Sequence, residues 1–136
     1  MSINYDDYDI GCSENELVGK TVLWIESDKK TYVRIVTENE DYAIFHYQDC
    51  CESVKIDSIN MTFDSENICE INDAISSVVS NSKSRINRNS DSSHTVTRYV
   101  VSFNEKPGFI LVWEGSSNGY YSEEPQCYKK NRKQTY

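Results

Sequence analysis

The chain has 136 residues, 38% of them hydrophobic, and carries 22 acidic against 14 basic side chains for a formal net charge of −8. That length suits one domain, with enough Val, Ile, Phe, Tyr and Trp for one modest core. A negative far field repels phosphate and argues against non-specific binding of DNA, RNA or anionic membranes, and no apolar run approaches the roughly 18 residues of a transmembrane helix.

Residues 1–16 are polar and acidic, with Asp6, Asp7, Asp9, Glu14 and Glu16, and read as an arm that is irregular or pairs with a neighbour. The first residues lack the apolar stretch of a secretory signal. A single domain is expected over 17–128. It opens on Thr21-Val22-Leu23-Trp24-Ile25, a strand of β-branched and aromatic residues. Ser27 to Lys30 is a turn, and Thr31 to Thr37 alternates Tyr32, Arg34 and Val36 against Val33 and Ile35. After a second turn, Tyr42 to Tyr47 completes a three-stranded antiparallel meander.

Ser53 to Asp57 alternates again, with Val54 and Ile56 inward. Asp64 to Ala74 is the one helical candidate: Ser65 is placed to cap it, and Ile68, Ile71 and Ile75 recur at spacings of three and four. Residues 75–80 then read as a strand, and 81–93 as a polar insert rich in Ser and Asn, either a long exposed hairpin loop or a mobile segment. Thr95 to Phe103 is a strand, Asn104 to Gly108 a turn, and Phe109 to Trp113, apolar on both faces, is expected to be the central and most buried strand. Residues 129–136 form a basic, solvated tail. The fold class is α+β, mainly β: a single twisted antiparallel sheet with one short helix.

The five cysteines are Cys12, Cys50, Cys51, Cys69 and Cys127. An odd count without a signal sequence argues against a disulfide framework and for a reducing cytoplasm, where free thiols pack as small hydrophobes.

Two polar islands follow strand ends. The first is His46-Tyr47-Gln48-Asp49-Cys50-Cys51-Glu52-Ser53-Val54; the second is Gly115-Ser116-Ser117-Asn118-Gly119-Tyr120-Tyr121-Ser122-Glu123. The first island, together with Trp113-Glu114 leading into the second, resembles a family of small proteins of uncharacterised function found largely in bacteriophages and prophages. The likeness spans about Leu17 to Glu124, and leaves out the acidic arm, the 81–93 insert and the basic tail. It implies a phage origin and a location in the host cytoplasm, and it implies no reaction. Small proteins of this kind often counter bacterial immunity, an association rather than a mechanism.

Each island has a plain structural reading beside the functional one. Cys50 and Cys51 are adjacent, so on an extended chain they point to opposite faces and do not share one ion. The chain has no Cys-x-x-Cys, and its other histidine, His94, is expected in a loop. A Cys–His nucleophile pair with His46 needs a lowered thiol pKa, whereas Asp49 and Glu52 raise it. Neither a metal, a cofactor nor a catalytic residue is therefore expected. Asp49 as a turn cap, and Glu52 at a strand start in solvent or paired with a lysine, are more economical than an acid–base pair. Asn118-Gly119 suits a tight hairpin, and of Tyr120 and Tyr121 only one ring can face a core.

The functional reading joins the islands into one surface. Tyr47, Tyr120 or Tyr121 stacks on a planar group, and Gln48, Asp49, Glu52, Ser116, Ser117 and Asn118 supply hydrogen bonds. That set suits a small polar, nucleotide-like ligand better than a nucleic-acid strand, which needs a basic track. The expected function is thus a non-enzymatic binding protein that sequesters a nucleotide-like immune signal and self-associates, because a small sheet with exposed tyrosines gains a wall from a partner. The competing reading is an acidic protein inhibitor that imitates nucleic acid and occupies a host defence nuclease or effector through the arm. A virion structural role is a third class that nothing in the chain favours.

Overall fold

The computed structural model describes residues 4–47, 52–60, 69–87, 90–104, 108–117 and 123–130. Nine strands run along the chain: β1 (Ile10–Cys12), β2 (Thr21–Ser27), β3 (Tyr32–Thr37), β4 (Asp41–Phe45), β5 (Glu52–Ile59), β6 (Cys69–Asn87), β7 (Ser90–Phe103), β8 (Phe109–Ser117) and β9 (Gln126–Lys129). They form one antiparallel sheet in the order β1-β9-β4-β3-β2-β6-β7-β8-β5. The mainly-β expectation holds, and the 21–47 meander is β2-β3-β4.

The sheet folds on itself at a narrow joint, where β2 and β6 share only Thr21↔Glu70 and Val22↔Cys69. Its two halves then face each other across one core. Val22, Ile25, Val33, Ile35, Tyr42 and Ile44 come from one half; Val54, Ile56, Tyr99, Val101, Phe109, Leu111 and Trp113 come from the other. On the far side the Ile56 N–H donates to Lys30 O at 2.7 Å, which ties edge strand β5 to the β2–β3 turn. That turn is built by Asp28. Its carboxylate accepts from the N–H groups of Lys30, Thr31 and Tyr32, while Lys29 takes a positive φ of 63°.

Among the described residues there is no α-helix, only two short 3₁₀ turns at Tyr5–Asp7 and Glu14–Leu17. The helical expectation over 64–74 is corrected where it can be seen: from Cys69 onward the chain is β6, and residues 64–68 lie outside the described residues. The spacing of three has another cause. The β6–β7 register slips between Ile71↔Phe103 and Asp73↔Ser102, and the extra residue places both Ile71 and Ala74 on the buried face. A β-bulge thus imitates one helical turn of apolar periodicity, and Ile75, the third member of the pattern, is 56% exposed.

Two other expectations change. Phe109–Trp113 is not apolar-buried on both faces: Phe109, Leu111 and Trp113 are buried, while Ile110 is 41% exposed. Its outer side is bare because no described segment crosses it. The 81–93 insert is ladder, not loop, since β6 and β7 pair out to Asn87↔Ser90, and His94 accordingly lies within β7.

The acidic N-terminal segment lies on the molecule. β1 adds to the sheet edge beside β9. The residues before it cover the outer face of β3 and β4, where Tyr8, Tyr32, Ala43 and Phe45 form a second buried cluster with Tyr5 and Tyr128 against it. Arg34 lies on this outer face too. It donates to Asp41 Oδ2 at 2.7 Å and Glu26 Oε1 at 2.7 Å, and its guanidinium sits 5.7 Å from the Trp24 ring. Asp41 also accepts from the Tyr8 hydroxyl at 2.9 Å. Hydrogen bonding to Asp41, against the effect of burial, holds Arg34 firmly charged, and burial together with Asp41 pushes the Tyr8 phenol up.

Candidate functional site

Alternation along β7 places Ser93, Thr95, Thr97, Tyr99, Val101 and Phe103 on one face, and all six are buried. The face changes character along its length, from phenylalanine and valine at one end to hydroxyls at the other. Strand β8 runs the opposite way beside it and changes in step: Phe109, Leu111 and Trp113 are followed by Gly115 and Ser117. Edge strand β5 repeats the change, with Ile56 and Val54 followed by Glu52. The registers Glu52↔Ser117 and Ser93↔Ser117 bring the three polar ends side by side.

Glu123 is set into this end. Only 7% of it is exposed, and its carboxylate accepts from Thr95 Oγ1 at 2.7 Å, from Ser93 Oγ at 3.1 Å and from the Ser117 hydroxyl. Burial raises its pKa, but the three hydroxyls outweigh that, so the carboxyl is held below its ordinary value. Gly115 is what lets the Glu123 segment approach: a Cβ at position 115 would run into the Glu123 carbonyl. Strand β4 adds an imidazole. Tyr42 and Ile44 face the core, so His46 points the same way, and its Nε2 lies 3.9 Å from Glu52 Oε2. Both side chains are nearly closed to solvent, at 6% and 2% exposure. Among the described residues His46 Nδ1 has no hydrogen-bond partner, and the same is true of Thr97 Oγ1 and Trp113 Nε1, which belong to directly opposed positions of β7 and β8.

Among the described residues the structure brings together the end of the first island and the start of the second: Glu52↔Ser117 and Ser53↔Ser116 are strand partners. Of the residues expected to bind ligand, Glu52 and Ser117 lie on the inner face. Ser116, exposed, lies on the outer face beside His94. Tyr47 is turned the other way. Its ring is 4.9 Å from Phe45 and 5.5 Å from Tyr128, and its hydroxyl donates to Tyr5 O at 2.7 Å, so it belongs to the aromatic cluster beneath the N-terminal segment. Gln48, Asp49, Asn118, Tyr120 and Tyr121 lie outside the described residues, as do Cys50 and Cys51. Glu52 is a nearly buried side chain rather than a solvated strand start.

Sequence reasoning missed Glu123 as an anchor and His46 as an inward group. A signal for the first was present, since Ser93, Thr95 and Thr97 continue the inward phase of Tyr99, Val101 and Phe103. Hydroxyls in a core phase imply a buried acceptor. Among the described residues no group of three or more His, Cys, Asp or Glu is arranged to hold a metal ion, and no helix is long and apolar enough to cross a membrane.

Neither the curated proteins nor the solved structures contain a match to the chain. A family model does match over residues 15–126, which takes in most of the core and both islands and stops short of β1, of Tyr8 and of most of β9, with its core residue Cys127. The chain thus belongs to the family described as Domain of unknown function (DUF7448).

Proposed function

We propose that the protein is a non-enzymatic binding protein that takes a small, polar, nucleotide-like ligand into the polar end of its core. The supporting observation is the simultaneous change from apolar to polar on the inner faces of β5, β8 and β7, with an imidazole nitrogen beside it that has no partner among the described residues. A buried polar atom without a partner costs about 1–3 kcal/mol. A molecule that bonds to His46 Nδ1 removes that cost. Glu52 and Glu123 are acceptors, so they suit the amino and imino groups of a base or the hydroxyls of a sugar, with any phosphate directed away from them. The biological setting follows the sequence resemblance, a phage-borne protein in the host cytoplasm that counters immunity; the withdrawn nucleotide-like signal follows the polar end of the core, and action as a homo-oligomer follows the small sheet with exposed aromatic side chains.

The inhibitor reading places activity in the acidic arm. Acids of that arm have partners within the molecule: Glu14 accepts from Ser76 at 2.7 Å, and Glu16 accepts from Tyr42 and Lys129, each at 3.2 Å. Asp6 and Asp9 lie at exposed positions. Native mass spectrometry of protein isolated from its producing cells separates the readings. The binding reading expects a retained small molecule that Glu52→Gln and His46→Phe each release with the fold intact by circular dichroism, and that neutralising Asp6, Asp7 and Asp9 does not affect. An empty protein that no nucleotide or nucleoside shifts in mass, or full retention by both variants, would overturn it.

A further inference from the structure

Cys12 and Cys127 are free thiols and face each other. They are directly opposed in the β1–β9 ladder, and their Sγ atoms share a hydrogen bond at 3.3 Å. Opposed residues of an antiparallel pair have Cα atoms about 4.5–5.5 Å apart, within the roughly 4.4–6.8 Å that a disulfide spans. Bond formation here needs side-chain rotation and no movement of the backbone. The two thiols differ in access: Cys127 is buried, while Cys12 is half-buried on an edge strand. They differ in acidity as well. The shared hydrogen bond lowers Cys12 although burial opposes it, with Lys129 helping and Glu14 and Glu16 opposing. The same hydrogen bond, then burial, raises Cys127. Cys12 is the attacking thiolate and Cys127 the resolving thiol.

We propose that Cys12 and Cys127 form a reversible dithiol switch that hydrogen peroxide converts to a disulfide, fastening the N-terminal segment to the sheet. The Cys12 thiolate attacks one peroxide oxygen, the O–O bond breaks, and hydroxide leaves as Cys12 becomes a sulfenic acid. The Cys127 sulfur then attacks the Cys12 sulfur. The S–S bond forms, the S–O bond breaks, and the leaving hydroxide takes the Cys127 proton, so two thiols are oxidised as one peroxide is reduced to two waters. The bond joins positions 115 residues apart, a long closed loop that restricts the unfolded chain. It also holds Tyr5 and Tyr8, which precede β1, against Phe45 and Tyr47. The pair reacts whether or not a ligand occupies the polar end of the core.

The test treats the full chain with hydrogen peroxide, caps remaining thiols by alkylation, and maps linked peptides before and after a thiol reductant. The expected result is a Cys12–Cys127 link that the reductant removes, with a rise in thermal midpoint of roughly 5–15 °C that Cys12→Ala abolishes. Peptide mapping of the unaltered chain decides the matter even where the variant folds poorly. Cys12 driven to sulfinic acid without a link, Cys12 left as a thiol, or Cys12 linked instead to Cys50, Cys51 or Cys69 would each overturn the proposal.

Discussion

Among the described residues, strands β3 and β4 are covered on both faces, whereas β6, β7 and β8 are covered on one. On the outer side of the first pair, Phe45 is fully buried beneath the N-terminal segment, with Tyr5 and Tyr128 packed on it at ring distances of 4.7 and 4.6 Å. On the outer side of the second group, Ile75, Val100 and Ile110 form a cross-strand row, and Ile75 is more than half exposed. Polar sequence and exposure are therefore separable. The acid-rich segment is a structural cover whose tyrosines fill a cluster, while an isoleucine on a well-formed strand stands in water.

The contrast can be broken by substitution. The largest effect is expected for Phe45→Ala, which removes a fully buried ring from the covered face and should cost about 3–5 kcal/mol in urea unfolding. A cost near zero would mean that the N-terminal segment is not seated there. Arg34→Met comes next. It leaves Asp41 and Glu26 without their cation and should cost about 1–3 kcal/mol, since the guanidinium is only partly exposed. The smallest effect belongs to Ile75→Ala on the bare face, within about 0.5 kcal/mol. A loss comparable to that of Phe45→Ala would show that something covers this face in solution.

A pH titration sharpens the inner end of the core. The Glu123 carboxyl is held below its ordinary 4.5 when folded. Its contribution is therefore complete above that value and disappears as pH falls through the depressed folded value. Wild-type stability should drop in that acid range, and Glu123→Gln should lack that component of the drop while starting less stable at neutral pH. Parallel curves for the two proteins would contradict the three-hydroxyl cradle.

The legible parts of the fold were those with local period-two patterns. Strand β3 and the strand ending at Phe103 can be read from alternation, whereas β2 is carried by its β-branched and aromatic residues, because a bulge between Val22 and Trp24 interrupts its period and leaves Val22 and Ile25 on one buried face. Strands β1 and β9 cannot be read, since three or four residues show no period and their pairing, Cys12 with Cys127, is distant in the chain. The bulge after Ile71 misled because one extra strand residue yields a helix-like spacing of three. Convergence of the islands is expected from their place at strand ends, and among the described residues the Glu52↔Ser117 register carries it for their facing ends alone. The inward hydroxyls of β7 signal a buried acceptor, but not that it is Glu123, because its three donors come from two strands that only the sheet brings together.

The chain holds two histidines, and they report on opposite faces: His46 points into the polar end, and His94 pairs with Glu114 at 3.0 Å on the outside. Long-range nitrogen–proton NMR of both imidazoles, recorded while the protein is titrated with the molecule it retains on purification, tests the proposed site most directly. The His46 Nδ1 resonance should move in proportion to occupancy while His94 stays fixed. Binding that leaves His46 unmoved, or that moves His94 alone, would contradict the proposed site.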